Sequence, residues 1–189
     1  MKDEALQALS DLELLQRIIE GGEAAFEELY QRYNVPLFNY LLRLTHDNIA
    51  AEELLQDAFL VLWQEACSFR GEASVKTWLF RIAHHRAVSW LRRRPEHSHG
   101  DPEQLPLADA TAGPEDQAIE AWKSREVLAA LDSLSSKHRA VLELAVFYEL
   151  PYGEIAEVIQ CPVGTVKSRV SYARRSLLQY LKNHGLSEL

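Results

Sequence analysis

The 189-residue chain is expected to be all-α, with two small helical domains joined by a flexible linker. Three observations predict this. Long stretches are rich in Leu, Ala, Glu and Arg and nearly free of alternating β-branched runs, which is helical and not strand patterning. Hydrophobic residues make up 47% of the chain, enough to bury a sizeable core. Between Pro95 and Pro114, four prolines and few large apolar side chains leave nothing from which a core can be built. The expected division is therefore 1–94, a linker at 95–117, and 118–189.

The N-terminal elements follow from caps and apolar stripes. Ser10 with Glu13 predicts a capping box for a helix through Glu20, which Gly21 and Gly22 end. A second helix starts near Glu23 and carries Phe26, Leu29, Tyr30 and Tyr33 on one side. Pro36 is expected to kink or restart it, with Leu37, Tyr40, Leu41 and Leu44 continuing the stripe. Asp47 is a good N-cap for a long helix to Ala66. Ala51, Leu54, Leu55, Ala58 and Leu62 face its core side, while Glu52, Glu53, Gln56, Asp57 and Leu60 project elsewhere. An acidic ridge with exposed apolar residues suits docking onto a basic helical partner; an ordinary solvated face has the same pattern.

Cys67 to Ser74 breaks the periodicity and reads as a loop with Phe69 and Arg70 near its tip. Ser74 or Val75 opens the next helix, through Trp78, Leu79, Ile82, Ala83, Val88 and Leu91. It carries Lys76, Arg81, His84, His85, Arg86 and Arg92 to Arg94. Aromatic residues beside a cationic helix are what is needed to hold unstacked single-stranded bases and neutralise their phosphates. Trp78 and Trp90 are assigned to the core. Beyond the linker, Glu115 to Leu131 is expected to be helical, Ser135 caps another helix, and both complete a small bundle with the segment that follows.

That segment, Pro151 to Leu181, reads as a helix-turn-helix. A short apolar-faced stretch (Ile155, Ala156, Val158, Ile159) meets Gln160, Cys161 and Pro162, then a longer pattern starts at Val163. Val163, Val166, Val170, Ala173 and Leu177 form one stripe. At about 100° per residue, Gly164, Ser168, Ser171 and Arg175 fall opposite, flanked by Lys167, Tyr172 and Arg174. Small, hydroxylated and cationic side chains can enter a major groove and reach phosphates and base edges; a terminal helix with a solvated face is the alternative. Thr165 and the first N–H groups of this helix suit a phosphate.

The net charge of −8 is unevenly placed. Met1 to Phe69 holds 4 Lys/Arg against 13 Asp/Glu, whereas Arg70 to Arg94 holds 7 against 1. Pro95 to Glu120 is purely acidic with 7, and Cys161 to Leu189 returns to 5 against 1. Two basic islands in an acidic chain favour a nucleic-acid partner, since footprints follow local patches. Cys67 and Cys161 form no CxxC, so no disulfide framework is expected and a reducing compartment is. Met1 is followed by Lys-Asp-Glu, and no apolar run approaches a membrane span, so a soluble, cytoplasmic protein without membrane insertion is expected. Adjacent His84 and His85 point apart on a helix, and His97 with His99 fall in the linker, so neither pair has metal-site geometry. No catalytic constellation or phosphate loop stands out; no metal, no cofactor and no enzymatic activity are expected.

Three motifs occur in order: Ala51-Glu-Glu-Leu-Leu-Gln-Asp-Ala-Phe-Leu-Val-Leu-Trp63, Ser68-Phe-Arg-Gly-Glu-Ala-Ser-Val-Lys-Thr-Trp-Leu-Phe-Arg-Ile-Ala83 and Cys161-Pro-Val-Gly-Thr-Val-Lys-Ser-Arg169. With the acidic linker they make the chain resemble, from about Ala24 to Leu181, a bacterial RNA polymerase sigma factor of the two-domain extracytoplasmic-function type (sigma-70 family, group IV). The resemblance implies that the chain binds core RNA polymerase and directs promoter-specific initiation. Glu53, Gln56, Asp57 and Leu60 lie where the family grips the clamp helices of the β′ subunit. Phe69, Arg70, Lys76, Arg81, His84, His85 and Arg86 lie where it reads and melts the −10 element. Thr165, Lys167, Ser168, Ser171, Tyr172 and Arg175 lie where it reads the −35 element. The β flap, promoter DNA and an anti-sigma factor are the further partners implied. His85 stands where an Asn is usual, Glu149 where Gly is common, and Pro151 where a capping Ser is common. The rival readings are a stand-alone dimeric helix-turn-helix regulator, which leaves the first basic island unexplained, and a helical metalloenzyme using His84, His85 or His97.

Overall fold

A computed structural model of the chain describes residues 6–94 and 126–184, and all regular structure among them is helical. The N-terminal half consists of α1 (Asp11–Ile19), α2 (Glu23–Thr45), α3 (Asn48–Glu65) and α4 (Val75–Arg93). The C-terminal half consists of helical residues 126–132, α5 (Ser136–Val146), α6 (Tyr152–Ile159) and α7 (Val163–Asn183). The linker 95–117, the start of the helix expected from Glu115, and His97 and His99 lie outside the described residues.

The helix starts are set by the expected side chains. Ser10 Oγ accepts from Glu13 N at 3.3 Å while Glu13 Oε2 accepts from Ser10 N at 2.8 Å, a reciprocal box that satisfies two otherwise orphaned donors. Asp47 caps α3 through Ala50 N at 2.9 Å, and Ser74 caps α4 through Thr77 N at 3.1 Å. Gly21, at φ 86°, ends α1 and turns the chain into α2. Pro36 neither ends nor restarts α2, which is a single helix from Glu23 to Thr45. Ser135 starts α5 without a side-chain cap; its hydroxyl pairs instead with His138 Nδ1 at 2.9 Å.

One apolar core runs through both halves. Leu29, Tyr40, Leu41, Leu62, Leu79 and Phe80 from α2 to α4 are continuous with Val141, Leu144, Ile155, Val158 and Val166 from α5 to α7. The main joint sets α4 against α6, with α5 against α2. At its centre the Tyr148 ring lies 4.5 Å from that of Phe80 and 5.9 Å from that of Tyr40. The Tyr148 hydroxyl donates to Pro36 O and accepts from Arg43 Nη2, both at 2.8 Å. Tyr40 is fully buried, and its hydroxyl meets His84 Nδ1 at 2.8 Å.

Charges are buried at the same joint. Arg139 is 4% exposed, and its guanidinium donates to Leu131 O at 3.0 Å, Arg43 O at 2.7 Å and Asp132 O at 2.8 Å. Arg43 Nε approaches Glu143 Oε2 to 3.1 Å, but without hydrogen-bond alignment, and neither Glu143 oxygen has a hydrogen-bond partner among the described residues. Burial pushes the Glu143 carboxyl up to about 7, against the opposing pull of Arg43.

Two stability outcomes follow. Burial, then the charges of His85 and Arg169, hold the His84 imidazole down at about 4 against an ordinary 6.5. An imidazole depressed by folding takes up a proton in the unfolded chain first, so its contribution is intact above 6.5 and is lost as pH falls towards 4. The loss is about 3 kcal/mol at most for a shift of this size. Urea unfolding between pH 7 and pH 4 will show wild type losing more stability than His84→Gln, and parallel curves would contradict this. Glu149, at φ 52°, occupies a left-handed position that costs a non-glycine residue about 1–2 kcal/mol. After the entropy that glycine restores to the unfolded chain, Glu149→Gly is expected to gain about 1 kcal/mol or less, read as a raised midpoint in the same assay.

Candidate functional site

Three surfaces carry the residues singled out in the sequence. On α3, Glu53, Gln56, Asp57 and Leu60 are all exposed, Leu60 at 52%. Beside them runs an open apolar groove lined by Phe26, Tyr30, Phe59, Leu60 and Trp63. The Phe26 ring meets Trp63 at 5.3 Å and Phe59 at 6.0 Å, both nearly perpendicular. Trp63 stays 39% exposed while Phe59 is buried, so Phe59 carries the core packing on this turn. Phe26 and Tyr30, on the apolar stripe of α2, are both only half-buried. A polar rim of Glu23 and Gln56 around exposed aromatic and aliphatic surface has the make-up of a protein-docking patch.

The second surface is the loop before α4 and the outer face of that helix. Gly71, at φ 70°, turns the loop so that Phe69 packs against Trp78, ring centres 5.4 Å apart. Together with Arg70, Thr77, Arg81 and Ile82 they line a cavity of about 420 Å³. Arg70, His85 and Arg86 are exposed and Arg81 is half-buried. Arg86 Nη1 lies 3.7 Å from Asp57 Oδ2, an exposed ion pair that ties the cationic surface to the docking ridge. Burial and the charge of Arg81 lower the His85 imidazole below its ordinary value, favouring the neutral ring. Trp78 and Trp90 are buried, as expected of core residues.

Lys76 and His84, both among the candidate −10 residues, face the interior of the joint. Lys76 points into the joint and donates its Nζ to Tyr148 O at 2.7 Å. His84 is turned inward to serve the Tyr40 hydroxyl, because a phenol in a closed apolar core needs a polar partner. In this arrangement neither side chain is presented on the open cationic surface.

The third surface is α7, which begins after the left-handed Gln160 (φ 50°), Cys161 and Pro162. Gly164, Lys167, Ser168, Ser171 and Arg175 are exposed on one side, with Val166, Val170 and Ala173 buried on the other. Val163, assigned to the buried stripe, is 40% exposed; burial starts one turn later at Val166. Thr165 is half-buried, and Ser168 Oγ donates to its carbonyl at 3.0 Å. Tyr172 is exposed and its ring packs at a tilt against that of His138, ring centres 4.4 Å apart. Pro162 offers no side-chain cap, and its carbonyl accepts from Thr165 N at 2.8 Å. Arg169, which the sequence reading left unassigned, is half-buried and shares a cavity with His84 and Cys161. Among the described residues no group of three His, Cys, Asp or Glu could hold a metal ion. None of their helices is long and apolar enough to cross a membrane.

Residues 29–95 match the family model for sigma-70 region 2, and residues 124–177 match that for sigma-70 region 4. The chain is 35% identical over 155 residues to the RNA polymerase sigma factor YlaC of Bacillus subtilis, covering 81% of this chain and 90% of that one. It belongs to the extracytoplasmic-function branch of the sigma-70 family. Among similar sigma factors are the RNA polymerase sigma-H factor of Pseudomonas aeruginosa, 32% identical over 88% of this chain and 91% of its own, and the ECF sigma factor SigK of Mycobacterium tuberculosis, 32% identical over 89% and 92%. The fold resembles that of the sigma factor RpoE from Bartonella quintana, solved with the anti-sigma factor NepR, with TM-score 0.65, 27% identity and coverage of 83% and 96%. It also resembles that of CnrH, solved with the cytosolic domain of CnrY, with TM-score 0.68 and 22% identity over 92% and 97%. In this sigma factor the region 2 match takes in the α3 ridge and the α4 surface, and the region 4 match ends within α7, after Arg175.

Proposed function

We propose that this sigma factor binds core RNA polymerase in the cytoplasm and directs it to promoters through −10 and −35 elements, the chemistry of RNA synthesis remaining with the polymerase. The functional division is 1–94 for polymerase docking and −10 melting, 95–117 as connector, and 118–189 for −35 recognition. The observation that carries this reading is an exposed apolar groove and two cationic surfaces on one chain, supported by the matches to sigma-70 regions 2 and 4 in that order.

In this proposal Glu53, Gln56, Asp57 and Leu60, with the groove beside them, engage the β′ clamp helices. Arg70, Arg81 and Arg86 neutralise the opened strand, with His85 beside them as a neutral hydrogen-bonding ring, while Phe69 and the cavity beside it receive an unstacked base. Lys76 and His84 join this set once the two halves part. Lys167, Ser168, Ser171, Tyr172 and Arg175 enter the −35 major groove, with Thr165 and the α7 amides at a phosphate. The C-terminal half also meets the β flap, and an anti-sigma factor of the kind seen with the Bartonella quintana relative holds the chain inactive. A dimeric regulator acting on duplex alone gives no role to the docking groove of α3 or to the cationic surface of α4.

Run-off transcription with core polymerase on a promoter library tests the reading directly, and no promoter-dependent product would end it. Asp57→Ala removes an exposed ion pair worth under about 1 kcal/mol, so folding is preserved while polymerase affinity falls. Unchanged affinity in a pull-down with core polymerase would exclude Asp57 from the docking surface. Changing Lys167 or Arg175 to Ala is expected to weaken holoenzyme binding at the −35 element. A loss of about 1–3 kcal/mol confined to particular base pairs identifies a base reader, and a uniform loss identifies a phosphate contact.

A further inference from the structure

Tyr172, on the −35 face of α7, is held from outside its own helix. Its ring centre lies 4.4 Å from that of His138 on α5, with the two planes 30° apart. Elsewhere on that face Ser168 is tied back to the Thr165 carbonyl of α7 itself, and Lys167, Ser171 and Arg175 extend exposed.

His138 is half-buried in the first turn of α5, and its Nδ1 lies 2.9 Å from the Ser135 hydroxyl. That pairing fixes the imidazole where α5 packs along α7. Burial first, then the charges of Arg169 and Lys137, lower the imidazole below its ordinary value, so the ring is neutral at pH 7. A neutral ring lies against a phenol without desolvating a charge.

A tyrosine standing free on a helix surface samples several rotamers, and freezing one of them at an interface costs binding free energy. A ring fixed on a second helix restricts those rotamers before any partner arrives. Tyr172 nevertheless keeps 53% of its surface exposed, so the contact orients the ring without covering it. Its hydroxyl has no hydrogen-bond partner among the described residues and remains free for a base edge.

We propose that His138 is a positioning residue for promoter recognition: it holds Tyr172 in the orientation that reads the −35 element, so base preference at the pairs facing Tyr172 depends on a side chain of α5. The proposal rests on the placement of Tyr172 in the −35 major groove made above. A phosphate contact by His138 itself is the rival, and it predicts a loss that is spread over all sequences and survives removal of Tyr172.

Holoenzyme formed with full-length wild type, His138→Ala, His138→Phe, Tyr172→Ala or the His138→Ala/Tyr172→Ala double variant is used to select from a duplex library randomised across the −35 region, and the bound DNA is sequenced. In parallel, the tyrosine rings of the free proteins are labelled with carbon-13 and their order is read by NMR relaxation, with Tyr172→Phe assigning the Tyr172 signal. Tyr172→Ala is expected to flatten base preference at the pairs it faces. His138→Ala is expected to weaken preference at those same pairs about three- to tenfold, the scale of one aromatic contact, and to leave other pairs within about twofold. His138→Phe keeps a ring against Tyr172 and is expected to restore most of the loss, while the double variant matches Tyr172→Ala. The Tyr172 ring is expected to lose order in His138→Ala and to regain it in His138→Phe. Circular dichroism confirms helicity in each, and should His138→Ala unfold, His138→Asn takes its place, keeping a polar partner for Ser135 but no ring. An unchanged Tyr172 ring on loss of the imidazole, a loss spread evenly over the −35 positions, or a further loss from His138→Ala in the Tyr172→Ala background would each overturn the proposal. A −35 motif insensitive to His138 would overturn the proposal alone, whereas selection of no −35 motif by wild-type holoenzyme would overturn the −35 reading and the proposal with it.

Discussion

The way the halves meet depends on burying Tyr148. Its ring closes the aromatic cluster with Tyr40 and Phe80, and its hydroxyl is satisfied only by α2, through Arg43 and the carbonyl of Pro36. A buried phenol without those partners would carry the cost of an unsatisfied polar group, so the end of α5 is held at the middle of α2. The consequences run along the chain. The Tyr148 carbonyl comes within reach of Lys76, Glu149 turns the backbone through a left-handed position, and Pro151 then opens α6 over the start of α4. The meeting of Glu154 with Ser74 and Thr77 thus follows from a tyrosine six residues earlier.

The buried charges make that junction conditional. Arg139 distributes its donors over backbone carbonyls and is well satisfied, whereas the Glu143 carboxyl has charge neighbours but no aligned donor. An ion pair of this kind contributes little net stability, because desolvation offsets most of the attraction. A carboxyl raised by burial to about 7 favours the packed form as pH falls from there towards its ordinary 4.5. His46 and His84, both lowered chiefly by burial, act in the opposite direction. The junction therefore combines tight aromatic packing with buried groups whose protonation acts in opposite directions on the packed form.

Local signals were legible in the sequence because local chemistry decides them. The Ser10–Glu13 box, the caps at Asp47 and Ser74, and the turn at Gln160 to Pro162 depend on residues three or four apart. The exposure of Glu53, Gln56, Asp57 and Leu60, and of Ser168, Ser171 and Arg175, followed from helical periodicity once a buried stripe was recognised. What periodicity cannot supply is which second element covers a given face. Lys76 and His84 were placed among the −10 candidates of α4, and their partners in the structure, Tyr148 and Tyr40, lie more than forty residues away. Trp63 and Phe59 are neighbours on one helix, and the choice of which to bury was made by α2, where Phe26 and Tyr30 fit against Phe59. Pro36 was tolerated inside α2 although its ring alone argues for a break.

The distribution of charge fits this account of the junction. A chain with a net charge of −8 is repelled by DNA at long range, and its cationic residues act only over roughly a Debye length, about 8 Å at physiological salt. With α6 lying against the start of α4, Glu154 meets the hydroxyls of Ser74 and Thr77, and Glu157 shares a cavity with Arg70 and Arg81. The acidic ridge of α3 is exposed, a surface whose charge is complementary to a basic helical partner. Electrostatics thus favour polymerase over free DNA as the first partner. Asp57, 3.7 Å from Arg86, joins the exposed acidic ridge of α3 to the cationic face of α4.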